Sequence, residues 1–504
     1  MKNALFCLFI GLLILPPSVS DAQAKPKKTR TIVTTDGELD DVDSFIRLLL
    51  YANEFKLEGL IISSSQWHYK GDGKGTKFMS EMDMTKRIYG ERTELRWPGE
   101  QWIYNLVDAY GKVYPNLVQH SVDYPTAAHL RSLIRIGNID LEGEMEKNTE
   151  GSDFIKNKLL DDDMQPLYLQ VWGGTNTIAR ALKSIEDEYR NTAKWQAIYR
   201  KICQKAIIYA ILDQDATYRK YISVKWPDMK IYYNSKQFWC FAYFWKRAVP
   251  KPLQAYLEGA FMGDKIINNH GALTKMYYSY GDGNPPAGEI EDIYSDPAKI
   301  KNNQWGSFEQ YDFISEGDSP AFLHLVNTGL GNLENPQFGG WGGRLVQSET
   351  QPNRWEDGGK TADFNPYSGK MDTAYAQARW IPALQNDFAN RSDWCIKDYK
   401  NANHPPKVQL KHDNHLTAKA RETVNLAGKA SDPDGDKLNY KWWQYEDVGT
   451  YKGTLTIQNA DHPTASFSMP DDVKKGETIH LILEVSDTRA LPLTRYQRVI
   501  VTCR

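Results

Sequence analysis

The chain's most constraining feature is a β-prone run, Thr31-Ile32-Val33-Thr34-Thr35, followed by an acidic turn and then a helical apolar stripe. Val42, Phe45, Ile46, Leu49 and Leu50 recur at spacings of three and four, the period of one helix face. A strand feeding directly into a helix is the repeating unit of a parallel sheet, whose neighbours need a crossover connection. The unit recurs. Residues 57–65 read as a strand ending in a serine-rich loop. Residues 167–172 read as another, followed by Gly173-Gly174 and a helix through Ile178, Ala179 and Leu182. Residues 205–212 and 229–233 read as further strands. These alternations predict an α/β fold with a doubly wound, mostly parallel sheet, in which ligands gather beyond the carboxyl ends of the strands. Polar residues stand there: Asp36, Asp40 and Asp41; Ser63, Ser64, Ser65 and Gln66; Asp213, Gln214 and Asp215; Asn234.

At 504 residues the chain is too long for one ordinary domain. Residues 1–24 read as a signal peptide: Lys2 supplies the positive start, an apolar run reaches Leu15, and Ala22-Gln23-Ala24 is a cleavage site. No later stretch is apolar enough to cross a membrane, so an exported soluble protein, periplasmic or extracellular, is expected. Residues 25–400 form the expected main domain. His404-Pro405-Pro406 reads as a linker. Residues 401–504 hold short alternating runs that predict a small all-β, immunoglobulin-like sandwich. Residues 281–344, rich in Gly, Pro, Asp and Asn, read as long loops around a site or as a surface excursion. A net charge of -3 gives no electrostatic case for nucleic acid or anionic membrane. Four cysteines remain after cleavage, with three pairings open and no C-x-x-C pair for zinc.

Asp36, Asp40 and Asp41 lie within one turn after a strand, at a helix start. Carboxylates this close repel one another unless a cation neutralises them, and oxygen ligands favour Ca²⁺ or Mg²⁺. An acidic helix N-terminus with Asp as its cap is the plainer alternative.

This turn resembles the N-terminal signature of nucleoside hydrolases. Further resemblances follow in order: Trp172-Gly173-Gly174-Thr175-Asn176 after a central strand, Asp213-Gln214-Asp215, Glu316-Gly317-Asp318-Ser319-Pro320, and Gly340-Trp341-Gly342-Gly343-Arg344. With Leu49 through Phe55 they are most similar to a secreted bacterial branch labelled cellulose-binding-protein-like, whose members end in a small β-domain. The resemblance implies a Ca²⁺ site. Asp36, Asp41 and Asp318 would be ligands, with the backbone carbonyl of Trp172. Asp36 would be the base for a calcium-bound water, and Asp40 would contact a sugar hydroxyl. It implies hydrolysis of N- or O-glycosyl, ribosyl-like bonds with inversion.

The chain departs from that pattern. Thr34 replaces the first aspartate, Gly37-Glu38 the usual Pro-Gly, and Ser64, Ser65 and Gln66 the asparagine after the second strand. Gly317 stands where a histidine would protonate a leaving base. Glu316 and His68 are candidate acids, or plain loop residues. A furanosyl O-glycoside therefore competes with a nucleoside as substrate. Gln66, Trp67, Asn176, Asp213, Asp215, Glu316 and Trp341 are expected to touch substrate, with stacking from the tryptophans. Turn roles for Asp213 and Asp215 stay open.

In the C-terminal segment, Asp432, Asp434 and Asp436 read as a turn or a calcium loop. Of Trp442 and Trp443, one should face the core and the other solvent or the first domain. The expected partner is a sugar-containing small molecule or a polysaccharide, and a homo-oligomer is compatible with the sequence. The enzyme reading competes with a carbohydrate-binding protein that has lost turnover.

Overall fold

The computed structural model describes residues 28–504; the leader falls outside the described residues. The elements that build the large sheet and its main covering helices are, among others, β1 (Thr29–Thr35), α1 (Leu39–Leu50), β2 (Phe55–Ile62), α2 (Gln101–His120), β3 (Ile134–Ile136), α3 (Glu150–Leu160), β4 (Leu167–Val171), α4 (Asn176–Tyr189), β5 (Ala206–Ile211) and β6 (Lys230–Asn234). Further along lie, among shorter helices, α5 (Ser319–Leu323) and α6 (Ile381–Trp394), with the short strands β7 (Val346–Gln347) and β8 (Arg354–Glu356) between them. The sheet runs β3-β2-β1-β4-β5-β6-β8-β7, and every pair is parallel except β8 with β7. The order reverses between β1 and β4, where a doubly wound sheet opens its ligand crevice.

Adjacent side chains of a strand point to opposite faces. Ile32 packs into the core containing α3 and α4, and Val33 into the core containing α1 and α2. Both faces being covered, the central strands are nearly continuous apolar or threonine runs. The predicted strands agree to within about two residues at most ends. The short β3, β7 and β8 have too little pattern to be read from sequence.

The C-terminal segment forms β9 (Lys407–Leu410), β10 (His415–Ala418), β11 (Thr423–Ser431), β12 (Leu438–Gln444), β13 (Thr464–Ser468), β14 (Thr478–Asp487) and β15 (Thr494–Cys503). They make a three-stranded sheet, β9-β11-β13, and a four-stranded one, β10-β15-β14-β12. One core lies between the two, through Val424, Leu426, Phe467, Leu481, Leu483 and Val501. Pairing is antiparallel except where β10 runs parallel to β15.

This β-segment is fastened to the large sheet's outer helices. Asp387 of α6 accepts hydrogen bonds from Tyr51 of the same half (2.7 Å) and from Arg495 of β15 (2.9 Å). Arg498 donates to the carbonyls of Leu330 and Phe338. Trp442 is buried in the sandwich, whereas Trp443 packs near Trp380 and under Arg379. Trp443 is thus an interface residue, and a role in polysaccharide stacking is not what its neighbours suggest. Asp434 accepts from the backbone and ring of His404, and Asp432 from the backbone of Asp434 and Asp436, so the acidic turn clamps the connecting segment. Cys203, Cys240, Cys395 and Cys503 are all unpaired thiols, the last three buried as small apolar groups. No described helix is long and apolar enough to cross a membrane.

Candidate metal centre

Asp36 leaves the end of β1 and Gly173 lies two residues past the end of β4, so both stand at the sheet's reversal point. A Cβ on Gly173 would sit 2.8 Å from Asp36 Cγ, so only glycine lets the second strand's turn approach the carboxylate. Gly37 adopts φ +77°, the left-handed region, with Trp102 Nε1 pressed against it. That turn aims Asp36 inward and starts α1, bringing Asp40 and Asp41 into its first turn.

Asp36, Asp41 and Asp318 are 1%, 1% and 2% exposed. Neither carboxylate oxygen of Asp36 has a hydrogen-bond partner. Asp41 accepts from Thr35 Oγ1, and Asp40 from Ser315 Oγ at 3.2 Å. One oxygen from each of Asp40, Asp41 and Asp318 lies within 4.8 Å of the others. A second group, Asp36, Glu38 and His68, meets the same limit. Ca²⁺–oxygen distances of about 2.3–2.6 Å allow ligands up to about 5.2 Å apart. The oxygen-only donor set and the orphaned Asp36 oxygens therefore suit a hard divalent cation.

The electrostatics agree. Asp41 is pushed well above the usual carboxylate range by burial, then by Asp36 and Asp40. Asp318 is pushed up by burial, then by Asp41 and Asp40. Asp40 rises to about 7 through burial and the Asp36 charge, and Glu38 to about 7 through burial and Asp40. Asp36 goes the other way. Burial would raise it, but the His68 ring, its Nδ1 3.4 Å from Asp36 Oδ2, outweighs burial and holds it below its ordinary value. Such a cluster stays ionised only with positive charge among it.

The remaining expected residues divide. The Trp172 carbonyl, at the same strand end, accepts from Gln214 Nε2 at 2.6 Å. Its indole is buried against Phe45. Gln66 is buried and bonded to Thr85, while Trp67, half-buried, packs edge-on to Tyr89. Several contacts expected with substrate are instead internal. Trp341 is 1% exposed, because Gly342 lies against the backbone of Pro320 and His324 and carries the loop into the core. Glu316 is fully buried in a bidentate pair with Arg47. Asn176 donates to Ser64 Oγ and to the carbonyls of Asn138 and Glu144. Asp213 pairs with Arg219, and Asp215 accepts from the backbone of Asn176 and Thr217, which is the turn role.

Sequence reasoning passed over Arg96 and Tyr243 and gave Glu38 no role. Tyr243 donates to Glu38 Oε1 at 3.1 Å, and Arg96 lies 3.8 Å from it while pairing with Glu289. For Glu38 a signal was available: with Asp36 and Asp40 it makes an alternating acidic triplet. The Gly317 departure also has a cause, since a Cβ there would stand 2.7 Å from Asp40 Oδ2. A cavity of about 440 Å³ lined by Lys28, Phe55, Lys56 and His129 sits at the opposite, amino-terminal end of the strands, away from these groups.

Residues 30–345 match the family model described as "Cellulose-binding Sde182, nucleoside hydrolase-like domain". Residues 423–503 match that of the cellulose-binding protein Sde0182 C-terminal domain. A nucleoside hydrolase-related protein from Saccharophagus degradans, described as associated with carbohydrate metabolism, is similar in structure. Its TM-score is 0.67 at 26% identity, over 95% of this chain and 100% of that one. The type III effector XopQ, solved with adenosine diphosphate ribose, reaches a TM-score of 0.35 at 10% identity over 74% of this chain and 95% of its own. A plant nucleoside hydrolase reaches 0.30 at 8% over 73% and 99%. Neither of these two bears on this chain's chemistry. No curated protein sequence matches the chain.

Proposed function

This chain belongs to the cellulose-binding Sde182 family with its nucleoside hydrolase-like domain, and from that premise we propose that it is an exported, calcium-dependent hydrolase of glycosyl bonds. The observation that carries the reading is Asp36: 1% exposed, with both oxygens unpartnered, at the reversal point of the sheet. An isolated buried carboxylate costs several kcal/mol or more unless a cation meets it.

Asp41, Asp318, Asp40, Asp36 and the Trp172 carbonyl would hold Ca²⁺. When bound, the ion would supply charge neutralisation, a site for water and a grip on sugar hydroxyls. Asp36 accepts the proton of the attacking water. The surrounding carboxylates stabilise the positive charge that develops at the anomeric carbon. Gly317, close against Asp40, leaves no imidazole beside Asp318 for a departing purine or pyrimidine. A furanosyl O-glycoside is the alternative substrate to a nucleoside, and its departing oxygen would take its proton from solvent. Export through the leader, residues 1–24, and a division near residue 401 belong to the same reading.

A second reading, a carbohydrate binder without turnover, is favoured by the family's own description as cellulose-binding. A panel of nitrophenyl furanosides, nitrophenyl pyranosides and nucleosides separates the two, with calcium and with chelator. Calcium-dependent turnover absent in Asp36→Ala supports the hydrolase. No turnover on any member, together with retention on insoluble cellulose, supports the binder.

A further inference from the structure

We propose that the same pocket holds a second divalent cation, of the Mn²⁺ or Zn²⁺ type, through His68, Glu38 and Asp36. The proposal rests on reading the pocket as a cation site. It differs in ion from the calcium site and shares only Asp36 with it, His68 and Glu38 standing outside the oxygen-only set of Asp40, Asp41 and Asp318.

His68 carries the argument. Its ring is 1% exposed and its Nδ1 has no hydrogen-bond partner. That atom faces Asp36 Oδ2 at 3.4 Å and Glu38 Oε2 at 3.7 Å. These separations are long and poorly directed for hydrogen bonds. They suit donors about 2.0–2.2 Å from one shared ion, which lie no more than about 4.4 Å apart. A tight turn fixes the backbone that carries the ring: Ser65 N–H donates to the His68 carbonyl at 2.9 Å, and His68 N–H donates to Ser65 Oγ at 3.2 Å.

Glu38 is oriented for the same task. Tyr243 donates to Oε1, beside Arg96, which leaves Oε2 turned toward His68. Partners of this kind, one bond out from the ligand atom, set the direction of metal ligands. Asp36 has both oxygens free, so one can serve each group.

The charges leave room for more than one ion. Asp36, Glu38, Asp40, Asp41 and Asp318 converge, and a single divalent cation cancels two of five negative charges. Arg96 is the nearby fixed cation, and Glu289 shares it. The donor types separate the two positions. Carboxylates alone select Ca²⁺ or Mg²⁺, while an imidazole with carboxylates suits a borderline transition ion.

The test is metal content and ligation. The full chain is stripped with chelator, loaded with Ca²⁺ together with Mn²⁺ or Zn²⁺, desalted and analysed by plasma mass spectrometry. Wild type should retain about two ions per chain, one of them the transition metal. His68→Ala should lose the transition ion and keep calcium, and Asp41→Asn should lose calcium. X-ray absorption at the zinc edge of wild type should register an imidazole ligand and needs no variant to fold. A transition ion retained in His68→Ala, an absorption spectrum without nitrogen, or calcium bound with no second ion overturns the proposal and leaves the calcium reading standing. Absence of both ions in wild type overturns both.

Discussion

Replacing Glu316 by leucine should destabilise the chain by about 3–5 kcal/mol, the usual cost of leaving one member of a buried ion pair alone. Arg47 and Glu316 are both 0% exposed. Arg47 Nε and Nη2 donate to Glu316 at 2.5 and 2.7 Å, Nη2 also donates to Gln385 at 2.6 Å, and Nη1 has no partner. Tyr277 and Ser319 donate to the same carboxylate. Two charged hydrogen bonds at about 1.5–3 kcal/mol each give a loss of the same size. The guanidinium would be left over the Phe388 ring, 3.7 Å away, where no carboxylate replaces the lost one. Denaturant unfolding of Glu316→Leu, Arg47→Met and the double variant measures this. The double variant should cost much less than the two singles summed, because two apolar groups satisfy each other. Since Glu316 ties α1 to the segment bearing Asp318, Glu316→Leu should also weaken calcium binding. A loss below about 1 kcal/mol, or strict additivity, would refute this account. It would return Glu316 to the role of a general acid.

Three further outcomes are expected. Asp387 is buried, which opposes its ionisation, but Arg495 and Arg391 outweigh that and lower it to about 2. Its stabilisation, about 2 kcal/mol, is present above the unfolded value near 3.8 and is lost as pH falls toward 2. Urea unfolding across that window should lose this component in Asp387→Asn. Calcium at a hundredfold excess over its Kd should stabilise wild type by about 2.7 kcal/mol, read as a thermal shift absent in Asp41→Asn. Gly173→Ala should displace the Asp36 carboxylate and abolish calcium-dependent turnover while circular dichroism remains that of wild type. Unchanged turnover would mean that the close approach of the two strand ends is not needed.

Local pattern carried far into this fold because its signals are local. Ile32 and Val33 on opposite faces, the stripe from Val42 to Leu50, and the glycines after β4 announce strands, a helix and a crevice within a few residues. Asp36, Asp40 and Asp41 were legible for the same reason. Asp318 was legible only through resemblance, since nothing in its neighbourhood announces a partner almost 280 residues away. The long-range pair Arg47–Glu316 leaves no trace in spacing, so Glu316 reads from sequence as a loop residue or a candidate acid. Trp341 among its glycines is expected to stack on substrate, but those glycines let the loop pass against α5 and bury the ring. Asp213 and Asp215 divided evenly between sugar contact and turn, and their backbone and arginine partners favour the turn.

The central claim, that the buried carboxylates at the reversal of the sheet form a calcium site, meets its most direct test in calorimetric titration of Ca²⁺ into the chelator-stripped chain. Stoichiometric binding that disappears in Asp41→Asn is predicted. No heat in wild type, or undiminished binding in that variant, would contradict it.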